Sequence, residues 1–129
     1  MDTRLNDIAK VAQRLVELCR EGKYEQAQEE LYAADAVSIE GDGQPGTPGH
    51  VSGIDAIRAK GKQWADNLVE IHGGSVSEPV IADGWFSVAM GLDATYKDMG
   101  RVAMKEICVY QVRDGKIVRE QFFYNMDKA

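Results

Sequence analysis

Only two cysteines, two histidines and three prolines occur in 129 residues, and the scarcity of each excludes something. Cys19 and Cys108 do not form a CxxC pair, so they read as buried thiols of a reducing compartment and not as a disulfide. His50 and His72 do not stand at ligand spacing, and no metal site is expected. No apolar run approaches the ~20 residues a membrane-crossing helix requires. The N-terminus, MDTRLNDIAK, lacks a charged-then-apolar signal layout, so a cytoplasmic protein is expected. Basic residues are in deficit, with 15 Lys and Arg against 21 Asp and Glu for a net charge of −6. That balance argues against nucleic acid or an anionic membrane as a partner. GxSxG, P-loop, HExxH and dinucleotide fingerprints are missing too, and no cofactor is expected.

What remains is a composition ordinary for a globular protein, 44% hydrophobic and 28% charged, with no shift that would divide it. Residues 1–129 read as a single domain large enough to bury a core. Its organising stretch is Arg101 to Asn125, RVAMKEICVYQVRDGKIVREQFFYN. This stretch predicts two long strands joined at Asp114-Gly115, since Gly accepts positive φ without steric conflict. Apolar residues fall on both parities, so both faces of the ribbon are expected to be covered. Glu106 and Glu120 nevertheless sit inside the strands, where a charge must be paired or used. A lined cavity would reconcile the two.

In chain order, Leu5, Ile8, Ala9, Ala12, Leu15, Val16 and Cys19 recur at helical steps and predict a helix over 4–20, closed by Gly22. A second helix is predicted over 23–33 and a short strand over 36–40, ending in Glu40. The breaker-rich GDGQPGTPG of residues 41–49 reads as an intradomain loop, either a plain connector or the border of a site. Ser52 is placed as the cap of a third helix over 53–69, whose stripe holds Ile54, Ile57, Trp64 and Leu68. From His72 onward the pattern is β, with Pro79 marking an edge or bulge and strands over 85–97, 101–113 and 116–125. Three helices and one short strand followed by a four-stranded meander define an α+β fold.

That order, together with the stretches VAQRLVELCREGKYEQAQEELYAADAVSIEG, VSGIDAIRAK and VYQVRDGKIVREQFFY, resembles the nuclear transport factor 2-like superfamily. The likeness is to its SnoaL-like and ketosteroid isomerase-like members in particular. The resemblance implies a cone-shaped α+β barrel with a small-molecule pocket, usually a homodimer through the outer sheet face. It also implies one of several activities, among them isomerase, cyclase, dehydratase and hydrolase. Matched residue by residue to the isomerase-like members, the carboxylate base falls on Glu40. The two oxyanion donors fall on Leu15 and Cys108, which cannot serve, so ketosteroid isomerisation itself is not expected. The same matching puts Glu106, Tyr110, Glu120, Phe122 and Tyr124 on the cavity side. It favours a three-residue turn with Gly115 in a bulge, setting Glu106 beside Phe122 and Cys108 beside Glu120.

The candidate chemistry is therefore carboxylate acid–base work by Glu40, Glu106 and Glu120, with Trp64, Cys108, Tyr110, Phe122 and Tyr124 lining a ligand site. Each has a plainer reading. Glu40 would be a surface acid at a strand end, and Glu106 and Glu120 would be ion-paired with Lys105, Arg119 or Arg101. The aromatic residues would be core. Two classes stay open: a cofactor-independent enzyme acting on a small, mostly apolar molecule, and a non-catalytic binding or dimerisation module of the same fold. The enzyme should point at least two of Glu40, Glu106, Glu120, His50 and His72 into one pocket. The module should show a filled or purely apolar cone. Ile107, Val109 and Phe123, rimmed by Gln111, Arg119 and Gln121, are expected on the outward face as the surface of a homodimer.

Overall fold

The structure is a computed structural model and describes residues 3–125, with side chains from residue 7 onward. Leu5 of the predicted first-helix stripe thus lies outside the described side chains. Helix α1 (Thr3–Arg20) buries Ile8, Ala12, Leu15, Val16 and Cys19, as the three- and four-residue spacing requires. Gly22, at φ 73°, ends it in a left-handed turn in which the Lys23 N–H donates to the Leu18 carbonyl at 2.8 Å. Helix α2 (Tyr24–Leu31) is shorter than predicted, because Tyr32 is already extended and opens strand β1 (Tyr32–Glu40).

The loop at 41–49 leads into a three-residue strand, β2 (His50–Ser52), that sequence patterning did not show. Ser52 therefore belongs to a strand and does not cap the next helix. Gly53, at φ 92°, occupies the N-cap of α3 (Ile54–Asn67), with no side-chain cap. Strands β3 (Leu68–Val76), β4 (Val80–Ala82), β5 (Trp85–Tyr96), β6 (Gly100–Arg113) and β7 (Lys116–Phe123) follow. The predicted neighbours of the second half are antiparallel as expected, β5 against β6 and β6 against β7.

The seven strands form one curved sheet in the order β2-β1-β7-β6-β5-β3, with β4 paired to β5. One pairing departs from the antiparallel expectation, for β1 runs parallel to β7, joining the first strand of the chain to the last. The helices cover the inner face, where Leu15, Val16 and Leu18 meet Phe86, Val88, Cys108 and Ile117 in a single core. The sheet is not closed, and the space between its inner face and the helices is the cone expected of an α+β fold of this kind.

The β6–β7 register corrects one expectation in detail and upholds its consequence. Asp114 (φ 53°) and Gly115 (φ 74°) form a two-residue turn, so Arg113 pairs with Lys116 and the tip has opposite parities. The bulge lies further on, where Gln111 pairs with Arg119 but Val112 with Ile117, leaving Val118 unpaired. From there equal parities face each other, with Tyr110 opposite Glu120, Cys108 opposite Phe122 and Ile107 opposite Phe123. The partners predicted for Glu106 and Cys108 are thus displaced by two residues. Two residues is a full pleat period, so the inward set is unchanged.

Candidate functional site

The cone holds a cavity of about 690 Å³ whose lining draws on all three helices and on the strands of both halves of the chain. Its walls are mostly apolar or aromatic, with Leu15, Ile57, Met90, Val102, Met104 and Phe122 prominent. Tyr24 and Trp64 meet edge to face at 5.8 Å between ring centres. The Trp64 indole N–H donates to the Tyr96 hydroxyl at 3.3 Å, which fixes the ring in the wall. Glu40, Glu106 and Glu120 all line this one cavity, and Lys60 joins them from α3.

Glu120 is the most deeply placed, only 4% exposed. Both its oxygens are taken: the Tyr32 hydroxyl donates to Oε1 and the Ser38 hydroxyl to Oε2 at 2.6 Å. Two hydroxyls six residues apart can converge because β1 is irregular between Tyr32, which pairs with Ile117, and Val37, which pairs with Arg119. The extra residues in β1 match the bulge in β7. Burial raises the Glu120 pKa, while the two hydroxyl hydrogen bonds and then the Lys60 charge oppose that rise.

Lys60 links this buried group to the open one. Its Nζ donates to Ser38 Oγ at 2.7 Å and to Glu40 Oε1 at 2.9 Å, and lies 5.3 Å from the centre of the Phe122 ring. Glu40, at the end of β1, is paired with Phe122 across the parallel register, so its side chain reaches the cavity and not bulk solvent. The Glu40 and Lys60 side chains keep 32% and 27% of their surface exposed, enough to meet a ligand. Burial, and next the neighbouring Glu40 carboxylate, push the Tyr124 pKa up to about 12.

Glu106 stands apart on β6. Its only side-chain partner among the described residues is the Cys108 thiol, which donates at 3.5 Å. Burial is the main cause of its raised pKa, with the charges of Glu40 and Glu120 adding to it. The ion pairs that would have explained the two strand carboxylates do not form. Arg101 pairs with Asp93, Arg119 donates to Gln121, and Lys105 stands opposite Gly91.

Of the residues read from the sequence as ligand-binding, Trp64, Tyr110, Phe122 and Tyr124 line the cavity. Cys108 does not. It has no exposed surface and packs behind the lining, where burial drives its thiol pKa upward. His50 and His72 also stay outside the lining, on β2 and β3. Sequence reasoning missed Tyr32, Ser38 and Lys60. Lys60 was findable, since it sits three residues after Ile57 and four before Trp64 on the apolar stripe of α3, where a cation is out of place. Tyr32 and Ser38 had no local signal, because their partner is 82 or more residues away.

Fold and cavity together define a cone protein whose pocket is lined by carboxylates, and comparison with known proteins supplies the family. The chain belongs to the SnoaL-like domain family, which it matches over residues 7–124. A candidate SnoaL-like polyketide cyclase from Mesorhizobium loti is 36% identical, with TM-score 0.82 over 91% of this chain and 98% of that one. A candidate isomerase from Bacillus subtilis is 21% identical, with TM-score 0.66 over 97% of this chain and 90% of its own. A protein of ketosteroid isomerase-like fold from Catenulispora acidiphila, solved with trimethylamine, is 15% identical, with TM-score 0.63 over 78% and 73%. At those identities the latter two speak to fold alone. No curated protein matches the chain.

Proposed function

We propose that this protein is a cofactor-independent enzyme that moves a proton at carbon in a small, mostly apolar molecule, as an isomerase or cyclase does. Glu40 is the base, Glu106 is the acid, and the aromatic walls hold the substrate. The observation that carries this reading is the convergence of Glu40, Glu106 and Glu120 with Lys60 on one largely apolar cavity. A binding module has no need of three carboxylates in its cone, and desolvating them works against folding. The two outer carboxylates are set up differently. Glu40 stands in an ion pair with Lys60, whereas Glu106 has no cation beside it and burial raises its pKa, which favours its neutral form. Carboxylates in such unlike settings divide the roles of base and acid.

The family includes cyclases and isomerases, and the Mesorhizobium loti relative is described as a candidate cyclase, which is consistent with such chemistry. The outward face of β6 and β7, with Ile107 and Phe123 side by side and about half exposed, supports a homodimer closed by that face. The test of the catalytic reading needs no knowledge of the natural substrate. A panel of cyclic ketones and β-keto esters is incubated with the protein in deuterated water, and exchange of the α-protons is followed by NMR. Exchange that the protein accelerates and Glu40→Gln abolishes supports the assignment. Acceleration that survives Glu40→Gln removes Glu40 from the mechanism.

A further inference from the structure

Lys60 is more than the counter-ion of Glu40. An ammonium has three N–H donors, and two are engaged, one by Glu40 and one by Ser38, at 2.9 and 2.7 Å. No third partner exists among the described residues, and the head group borders the cavity above the Phe122 ring. The Ser38 contact makes this position independent of the carboxylate. Ser38 is fully buried and gives its own proton to Glu120, so its oxygen is free to accept from Lys60. The Ser38–Glu120 pair therefore holds the ammonium in place whatever charge Glu40 bears.

We propose that Lys60 is the cation that receives negative charge on the substrate oxygen, and that the substrate is a carbonyl compound whose acidic C–H adjoins that carbonyl. The proposal rests on the reading of Glu40 as the base and adds the substrate class to it. In the step it describes, a Glu40 oxygen takes the α-proton and the C–H electron pair becomes the C=C bond. The carbonyl π pair moves onto oxygen, and Glu40 becomes a neutral acid. The negative charge has passed from Glu40 to the enolate oxygen, and both sit within reach of one ammonium. The ion pair is exchanged, not broken, so the charge of the cluster stays constant and little has to reorganise. Return of the proton from Glu40 to another carbon of the delocalised anion completes an isomerisation. In a cyclisation the enolate carbon attacks a second carbonyl of the same molecule, the resulting alkoxide takes its proton from Glu106, and exchange with solvent returns Glu40 and Glu106 to their starting forms.

The geometry makes a sharp claim about anion binding that can be read without turnover. Glu40→Gln imitates the state in which the base has been protonated, so this variant should bind an enolate mimic that the ionised wild-type site repels. The probe is 4-nitrophenol, whose phenolate has its own visible absorption band and, like a delocalised enolate, presents a negatively charged oxygen. Binding of phenol and phenolate forms is measured on either side of the free probe's pKa, with circular dichroism confirming that each variant is folded. Phenolate should bind Glu40→Gln at least about tenfold more tightly than it binds the double variant Glu40→Gln/Lys60→Met, the range of a charge-assisted hydrogen bond. The neutral phenol should distinguish them little, and Glu40→Gln/Lys60→Arg should keep most of the phenolate affinity. Equal phenolate affinity with and without Lys60, or no phenolate binding by folded Glu40→Gln, would overturn the proposal. Lys60-dependent phenolate binding in a protein that exchanges no carbon-bound proton would leave the anion site standing and reject the base.

Discussion

The two faces of the β6–β7 ribbon invert the distribution that water usually imposes. Inward lie Glu106 and Glu120 among Tyr110 and Phe122, and outward lie Ile107 and Phe123, 49% and 46% exposed, beside Val109, Gln111, Arg119 and Gln121. An apolar residue in water and a carboxylate out of it are each unfavourable in the lone chain. Both occur on one ribbon, separated only by the pleat. On the proposed reading the inner face receives a small, mostly apolar carbonyl compound and the outer face a second copy of the chain. Strand alternation lets a single hairpin serve both needs, because neighbouring residues never compete for the same side.

The largest effect expected bears on the inner face. Glu40→Gln should lower carbon-proton exchange by roughly 10² to 10⁴, the range for loss of a general base, while the fold is unchanged by circular dichroism. Next comes Glu120→Leu, which leaves the Tyr32 and Ser38 hydroxyls without their acceptor. Denaturant titration should show a loss of about 1–3 kcal/mol for each donor stranded. A neutral result would make Glu120 dispensable and break the contrast between a built inner face and a bare outer one. On the outer face, Ile107→Lys should shift sedimentation from twice the chain mass to the monomer and weaken association by about 30-fold or more, as hot-spot positions do. Inner-face chemistry would persist. A wild-type protein that sediments as a monomer at micromolar concentration would end the idea of a covered outer face.

The smallest effect concerns pH. Burial raises the Glu106 pKa above its ordinary value of 4.5, so ionising it works against the folded state. Its contribution is fully favourable below 4.5 and is lost as pH climbs through the raised folded value. Denaturation midpoints of wild type and Glu106→Gln should therefore converge at acid pH, with the wild type falling behind as pH rises across that window. A constant difference would place Glu106 in a well-solvated setting.

Much of this was legible in the chain itself. The Asp114-Gly115 pair announced the hairpin, and the resemblance to the isomerase-like proteins put Glu40 at the base position and Glu106, Tyr110, Glu120, Phe122 and Tyr124 on the cavity side. Trp64 followed from the stripe of α3. What escaped was the parallel joining of β1 to β7, because no local pattern says that residue 38 will lie against residue 120. With that pairing went Ser38 and Tyr32, the groups that give Glu120 its partners. The exact place of the bulge was also hidden, since Val118 is an unremarkable strand residue. Cys108 was misjudged for a related reason. Alternation gives the direction of a side chain but not its depth, and the wall is more than one residue thick there.

Val118 has a consequence for how this chain tolerates change. As the single unpaired residue of β7, it decides which way everything after it points. A slip that paired Val118 with Gln111 would restore an unbroken ladder from the turn onward, a locally better hairpin. It would also turn Gln121 and Phe123 into the cone and Glu120 and Phe122 out to the surface. One residue of register therefore separates a strand that lines the pocket from one that turns its carboxylate out to the surface. Length variation among relatives should be frequent in the 41–49 loop and absent between Arg119 and Phe123.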